Sequence, residues 1–284
     1  LEEINIEKLG IFLVMSKKNL NFFDEYPAFY ETGTTGAGAK VLNIRFHPII
    51  GNNLDMLKDA TVLDIASHDG RWSFAALKNG AKKVYGIEGK KELVQSSIEN
   101  MKKYGIAEDK YNFVAGDIFE EIKKIPINEI DVVFCLGIFY HISSHMELLK
   151  EIKKLNPKYL ILDTEITNSK SSIIRIRKEP YHTPDKMLPY EKFVAGRISR
   201  SALNIMLKAL NFEFTYYDWG NDIKDWKGIE IYSSKKSILL KRAFLYLISF
   251  IDSKKTRKRR RNDLVRYYTT KKVIVITKNE SYAK

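Results

Sequence analysis

Acidic and small residues follow the first strongly apolar run of the chain. Asp64 lies near the end of this run, and Ala66 and Gly70 flank His68 in the segment DIASHDG. A strand end, a tight turn and a helix entry of this kind give a nucleoside cofactor close backbone approach and a hydrogen-bond acceptor. Glu88 ends the next apolar run, KVYGIE, at the spacing expected for a carboxylate that binds both ribose hydroxyls. The two runs together predict a cofactor site.

A second group of reactive side chains follows two later apolar runs. Tyr140 and His141 come after DVVFCL, and Asp163 and Glu165 end YLILDTE. Tyr140 is interpreted either as a contact of cofactor or substrate or as a core aromatic residue. His141 is either a base or substrate contact or a structural histidine. Asp163 is expected near the active site because a carboxylate ending an apolar strand needs a partner, with loop anchoring as the alternative.

One further candidate lies in a long segment, residues 167–198, which is interpreted as a loop able to cover a substrate. We expect His182 in this loop and Glu165 before it to contact the substrate, although most loop histidines have no chemical role. His145 is expected at a helix start, as a cap or a solvent-exposed residue. The histidines and acids show no recognisable metal-ligand spacing, so no metal site is predicted.

These residues are placed by an alternation of short apolar strands and amphipathic helices. Strand patterns cover residues 61–65, 83–87, 111–114, 131–136, 159–162, 212–219 and 272–277, and helix patterns cover 72–78, 92–104, 145–155 and 199–210. Such an alternation predicts an α/β fold with a mostly parallel sheet that has helices on both faces. Because the carboxyl ends of parallel strands meet at one edge, we expect both groups of side chains to share one site.

The composition is that of a globular chain with one unusual feature, its charge. The 284 residues are 44% hydrophobic, and the single cysteine, Cys135, excludes a disulfide scaffold and a cysteine-based zinc site. The net charge is +13, but residues 221–284 contain 18 Lys or Arg and only 6 Asp or Glu. The first 220 residues are nearly neutral, with 30 basic and 29 acidic side chains. The charge excess therefore belongs to a C-terminal segment.

The order of these motifs resembles that of the class I S-adenosylmethionine-dependent methyltransferases, from about residue 61 to residue 219 and again at the last strand. Segment 64–70 resembles the first signature of that superfamily, and Glu88 resembles its ribose acid. The resemblance implies a Rossmann-like, seven-stranded, mostly parallel sheet with an antiparallel last strand. It also implies S-adenosylmethionine as the cofactor.

The same resemblance assigns roles to residues after the third and fourth strands. Asp117 would accept a hydrogen bond from the adenine amine, and Ile118 would pack on the adenine ring. Leu136 begins the segment LGIFYH, which would face the transferred methyl group.

Two positions depart from the first signature of that superfamily. It usually has glycine where this chain has Ala66 and His68, whereas Gly70 is kept. Because His tolerates the left-handed backbone conformation, the turn remains feasible. A dinucleotide is disfavoured because its pyrophosphate needs the bare backbone that these positions lack. The departure also motivates an alternative, a non-catalytic protein that binds S-adenosylmethionine and a partner.

Within the superfamily, residues 134–166 and the segment IRFHP at 44–48 resemble the wobble-uridine tRNA carboxymethyltransferases. This resemblance implies that Arg45 holds the cofactor carboxylate, with a surface salt bridge as the alternative. Those enzymes recognise a carboxylated cofactor partly through a Lys whose position is Leu42 here, which favours ordinary S-adenosylmethionine. The segment before Thr61 also looks short for those enzymes, so we expect a different acceptor.

The chain is expected to have four parts. Residues 1–57 form an N-terminal helical cap and hinge, 58–220 with 271–279 a methyltransferase core, 165–198 a substrate loop within it, and 221–270 a basic helical insertion. In the insertion, SILLKRAFLYLISFI is followed by SKKTRKRRR. This pattern fits an apolar helix on the core with a solvated basic loop, attachment to an anionic membrane surface, or nucleic-acid binding.

The expected function is O-methylation of a small-molecule or glycan-type acceptor that can carry an anionic group, with His141, Asp163 and Tyr140 as catalytic candidates. The alternative is an RNA (tRNA) methyltransferase that uses the basic C-terminal region. No stretch reaches the roughly 18 apolar residues of a membrane-spanning helix. A cytoplasmic location is expected, with peripheral membrane attachment as a further alternative.

Overall fold

A computed structural model describes residues 22–33, 39–178, 194–218 and 272–279. His182 and the basic insertion at 221–270 lie outside the described residues, as do residues 1–21 of the expected N-terminal cap.

Nine strands and eight α-helices are present in the described residues. The strands are β1 (Thr61–Ile65), β2 (Lys83–Glu88), β3 (Tyr111–Ala115), β4 (Val132–Leu136), β5 (Tyr159–Glu165), β6 (Ile174–Lys178), β7 (Val194–Ile198), β8 (Phe212–Tyr216) and β9 (Lys272–Asn279). The helices are α1 (Ala28–Glu31), α2 (Ala39–Ile49), α3 (Leu54–Leu57), α4 (Arg71–Lys78), α5 (Lys91–Lys103), α6 (Ile118–Glu121), α7 (His145–Lys154) and α8 (Arg200–Ala209).

Seven of the strands form one sheet in the order β3-β2-β1-β4-β5-β9-β8. Strands β1 to β5 are parallel, whereas β9 runs antiparallel to both β5 and β8. The predicted Rossmann-like sheet with an antiparallel last strand is therefore confirmed. The strand order reverses direction between β1 and β4, which places a crevice at their carboxyl ends.

Apolar side chains cover both faces of the sheet, which explains why its central strands read as continuous apolar runs. All five residues of β4 are buried. Alternate residues enter different layers, since Val62 packs in one buried cluster and Leu63 in the other. The first layer contains α4 and the aromatic residues before it, and the second contains α7 and α8.

An aromatic cluster attaches residues 22–33 to the first layer. The Phe22 ring stacks on Phe46 of α2 at 4.4 Å, and the Phe23 ring meets Trp72 of α4 edge-on at 5.4 Å. Phe29 packs between Phe74 and other rings of the same layer. This packing brings the N-terminal segment next to the turn after β1.

The segment interpreted as a substrate loop contains two strands. Strands β6 and β7 pair antiparallel in a two-stranded sheet of their own, with Arg175 opposite Arg197. We call this pair the ribbon. It rests on the main domain where the Gly196 amide donates to the Ile142 carbonyl (2.9 Å), and Gly196 lies so close to His145 that a Cβ would collide with its ring.

His145 is buried rather than exposed, which corrects the expectation of a solvent-facing residue. It begins α7 as predicted, but only 1% of its surface is exposed. A hydrogen bond joins its Nε2 to the Gly196 carbonyl (3.0 Å), so the side chain attaches the ribbon to the domain.

The helices of the described ranges include none that combines the length and the apolar character needed to cross a membrane.

Candidate functional site

The turn between β1 and α4 is left-handed at three alternate residues. Ala66, His68 and Gly70 have φ angles of 57°, 56° and 76°. These are the positions at which the resembling enzymes usually have glycine. The chain therefore keeps the expected turn although two of the glycines are absent. The left-handed conformation costs about 1 kcal/mol or more for each non-glycine residue, and the surrounding packing compensates for this cost.

Hydrogen bonds from the next strand hold this turn in place. The Ser67 amide donates to the Ile87 carbonyl (3.0 Å), and the His68 amide donates to Oε2 of Glu88 (2.9 Å). The other Glu88 oxygen accepts from the Lys90 amide at 3.2 Å. A carboxylate has about four acceptor positions, so Glu88 keeps capacity for ribose hydroxyls.

Two carboxylates at this end of the sheet are buried and form no salt bridge with any residue of the described ranges. Asp64 is 1% exposed and its Oδ2 accepts from the Ser73 hydroxyl (2.7 Å). Burial raises the pKa of Asp64 to about 7, although the hydrogen bond from Ser73 opposes the shift. Burial also raises the pKa of Glu88, against the bonds from the His68 and Lys90 amides. Both acids would gain from a positively charged or proton-donating ligand.

Asp69 in the same turn has a different environment. Burial by itself would raise its pKa, but the Arg71 guanidinium and His68 hold the pKa of Asp69 well below its usual range. Arg71 donates to both carboxylate oxygens, at 2.6 and 2.7 Å. The Thr32 hydroxyl donates to Oδ2 at 2.6 Å, which joins the N-terminal segment to the turn. The sequence motif did not indicate this role, because Thr32 is distant in sequence.

The third strand supplies groups suited to an adenine ring. Asp117 caps α6 through Oδ1, which accepts from the Phe119 amide (2.8 Å). Its Oδ2 is buried and makes no hydrogen bond with any residue in the described part of the chain. Ile118, which follows, is 2% exposed. An unpaired acceptor beside an apolar side chain fits the amine and ring expected from the resemblance.

The fourth and fifth strands carry the second predicted group of residues. Asp163 on β5 is fully buried and pairs with Arg45 of α2 through Nε (2.8 Å) and Nη2 (2.6 Å). The Arg45 guanidinium also lies over the Trp72 ring, 5.0 Å from its centroid. Arg45 is therefore neither a surface salt bridge nor exposed, since 14% of its side chain is accessible. Its ion pair with Asp163 connects α2 to β5.

Tyr140 lies among charged groups just after β4. Burial, together with the charges of Glu165 and Asp163, raises the pKa of Tyr140 to about 12, and Arg45 and Arg197 oppose the shift. The phenol therefore keeps its proton near neutral pH. Its ring lies 4.2 Å from the His141 ring, at an angle of 38°. The two candidates are therefore adjacent.

Glu165 forms an ion pair with Arg197 of the ribbon, a residue that sequence reasoning missed. Leu136 ends β4, and the Gly137 amide after it donates to the Asp163 carbonyl (2.9 Å). Gly137 has a φ of 98°, which turns the chain from β4 toward Tyr140. The predicted residues of β4 and β5 thus lie at one edge.

The parallel register brings the two groups of predicted residues to the same edge of the sheet. Ile65 of β1 is paired with Cys135 of β4, and Leu136 is paired with Asp163. His182 is the one predicted site residue outside the described ranges. Across those ranges, no three His, Cys, Asp or Glu side chains are grouped as metal ligands.

Comparisons with known proteins find relatives of this chain by sequence. A sequence model described as a methyltransferase domain matches residues 57–209. A tRNA U34 carboxymethyltransferase of Helicobacter pylori is 32% identical over 132 residues, which are 45% of this chain and 49% of that protein. One from Idiomarina loihiensis is 27% identical over 174 residues, 58% of this chain and 49% of that protein. The chain thus spans about half the length of these curated relatives.

Solved structures of low sequence identity share the fold. The N-terminal domain of EvdMO1, crystallised with SAH and D-fucose, has a TM-score of 0.53 at 14% identity and covers 82% of this chain and 81% of that one. An S-adenosylmethionine-dependent methyltransferase from Mesorhizobium loti has a TM-score of 0.51 at 10% identity, covering 82% and 97%. These likenesses concern the fold alone.

Proposed function

The chain belongs to the methyltransferase-domain family and is an S-adenosylmethionine-dependent methyltransferase, and we propose that it methylates a hydroxyl group of a small-molecule or glycan-type acceptor. The observation that carries the proposal is the pairing of an imidazole, His141, with a protonated phenol, Tyr140, at the end of β4. Transfer to oxygen needs a group that takes the hydroxyl proton, and this pair follows β4, the strand that is hydrogen-bonded to β1.

The chain's own residues divide the work of binding the cofactor. Glu88 accepts from the ribose hydroxyls, Asp117 from the adenine amine, and Ile118 packs against the ring. Asp64 and the left-handed turn at Ala66, His68 and Gly70 line the methionine side. The site lacks a cation at Leu42, which is fully buried in the apolar core, so ordinary S-adenosylmethionine is the proposed form.

When bound, S-adenosylmethionine would supply an electrophilic methyl group, whose bond to sulfur breaks as S-adenosylhomocysteine leaves. His141 would accept the proton that the acceptor hydroxyl loses, and the imidazole would later release this proton to solvent. Tyr140, which keeps its proton, donates a hydrogen bond that orients the acceptor oxygen. Asp163 is a positioning residue, since Arg45 holds its carboxylate, and Glu165 contacts substrate together with Arg197. Positioning of this kind supplies much of the rate of a methyl transfer.

RNA methylation is a second candidate, favoured by the names of the curated relatives, which are tRNA U34 carboxymethyltransferases. The basic residues that would serve it belong to residues 221–284. A non-catalytic role was suggested by the two missing glycines of the turn. Because Ala66 and His68 retain the left-handed turn, this argument for a non-catalytic role no longer applies.

The two candidates are separated by incubating the protein with methyl-labelled S-adenosylmethionine and host extract fractionated into RNA, lipid-linked glycan and soluble metabolites. We expect label in the metabolite or glycan fraction, with a release chemistry typical of a methyl ether or ester. His141→Gln should lower the rate about 100-fold without changing SAH affinity. The control is His47→Gln, whose ring lies against Gly51, and it should leave the rate unchanged. Label found in RNA alone would overturn the proposal in favour of the second candidate.

A further inference from the structure

The ribbon has two chemically different faces. Residues two apart on a strand share a face, and the register pairs Arg175 with Arg197 and Arg177 with Ala195. One face therefore carries Arg175, Arg177 and Arg197, and we call it the arginine face. The other face carries isoleucine, glycine and Lys178, and Gly196 on it packs against His145.

The arginine face brings three guanidinium groups together on two paired strands. Arg175 and Arg197 are directly opposite each other, a pairing of like charges that destabilises a two-stranded sheet. Arg197 pairs with Glu165. Arg175 is exposed and makes no hydrogen bond or ion pair with any residue of the described ranges. Its guanidinium retains all its donors for a ligand.

The arginine face adjoins the reacting end of the sheet. Arg197 reaches Glu165 at the end of β5, and its charge acts on the Tyr140 phenol. Its Nε is buried without a hydrogen-bond partner among the described residues. An anion on the arginine face would therefore lie beside the site where the acceptor hydroxyl is expected.

We propose that Arg175, Arg177 and Arg197 bind a phosphate or diphosphate group carried by a small acceptor, and so hold its hydroxyl near His141. This inference rests on the proposed function and names the substrate class. Guanidinium groups bind phosphate oxygens through paired, planar hydrogen bonds. Three guanidinium groups on two paired five-residue strands suit a single phosphate or diphosphate group. RNA binding, by contrast, needs cations that are spread along many phosphates.

The test uses pyrophosphate as the probe and the full chain saturated with SAH. Calorimetric titration should show that pyrophosphate binds at least tenfold more weakly to Arg175→Gln than to wild type. The matched control is Lys178→Gln, which removes one charge from the opposite face of the same ribbon and should leave the affinity within twofold. Arg175→Lys keeps the positive charge but loses the planar guanidinium, so its pyrophosphate affinity should lie between those of Arg175→Gln and Lys178→Gln. Bulk tRNA affinity should not distinguish Arg175→Gln from Lys178→Gln.

A second arm treats the metabolite fraction with phosphatase before labelling, which should abolish its acceptance of methyl groups. Equal effects of Arg175→Gln and Lys178→Gln on pyrophosphate, or no effect of either, would overturn the subsite. If the label still entered the metabolite fraction after such a result, the proposed function would stand without the phosphate subsite. If pyrophosphate bound as expected but label entered only RNA, the proposed function would fall and the small acceptor with it.

Discussion

The two halves of the site are built with opposite electrostatics. At the ends of β1, β2 and β3, Asp64, Glu88 and Asp117 accept hydrogen bonds from hydroxyl or amide donors, and no arginine of the described ranges pairs with them. At the end of β5, Asp163 and Glu165 each pair with an arginine. We call these the cofactor half and the acceptor half.

The difference fits the charges of the two proposed ligands. S-adenosylmethionine has a cationic sulfonium, an ammonium and several hydrogen-bond donors, which suit carboxylates that lack a cation. An acceptor with an anionic group suits the arginine face. Asp69 shows that the cofactor half also uses an arginine, but for a structural purpose, since Arg71 and Thr32 bind it within the turn.

The largest expected effect on stability is in the acceptor half. Arg45→Gln leaves the fully buried Asp163 without its cation, and the free energy of unfolding should fall by about 3 kcal/mol. Denaturant unfolding measures the change. Lys102→Gln, which breaks an exposed pair with Glu108, is the control and should have no measurable effect. Similar losses in the two variants would contradict a buried pair at Asp163.

In the cofactor half, Glu88→Gln should weaken SAH binding about 100-fold, since two hydrogen bonds to a charged acceptor contribute about 1.5 kcal/mol each. Calorimetry measures the affinity, and thermal unfolding shows whether the variant folds. Glu92→Gln, on the exposed start of α5, is the matched control. Unchanged SAH affinity in Glu88→Gln would show that Glu88 serves only the turn.

The raised pKa of Asp64 predicts a pH dependence of stability. The folded state binds a proton more tightly than the unfolded state, so this stabilisation is complete below pH 4 and is lost as pH rises through about 7. Between pH 5 and pH 7 the loss from Asp64 is about 2 kcal/mol. Asp64→Asn should remove that part of the slope and keep the bond from Ser73. Parallel stability curves for wild type and variant would refute the shift.

The smallest expected effect concerns the left-handed turn. Ala66→Gly should raise the free energy of unfolding by about 0.5 to 1 kcal/mol, because glycine adopts a φ of 57° without strain. The same exchange at Ala209, on the last turn of α8, should lower it by up to about 1 kcal/mol. A loss of stability in Ala66→Gly would mean that the Ala66 side chain makes stabilising contacts that outweigh the strain.

The sequence predicts the cofactor half well because its signals are local. Each acid there follows its own apolar strand, and the parallel sheet brings the strand ends together. His68 and Ala66 obscure the glycine pattern, yet their spacing from Asp64 still locates the turn. The strand and helix periods likewise predict a mostly parallel sheet, whereas its antiparallel last strand is implied by the family resemblance.

The acceptor half is harder to predict because its contacts join distant residues. Arg45 meets Asp163 from far earlier in the chain, and Glu165 meets Arg197 across the segment that was interpreted as a loop. Short alternating strands such as IRIRK and VAGRI give a weak signal when a long connection separates them. The arginine face therefore becomes visible only when β6 and β7 are paired.

The division into two halves is tested most directly by hydrogen exchange of the backbone amides with and without SAH. We predict slower exchange in peptides covering residues 64–70, 86–90 and 116–119, and no change in residues 194–198 of the ribbon. Slower exchange in the ribbon together with no change at residues 64–70 would contradict the assignment of the cofactor to the ends of β1, β2 and β3.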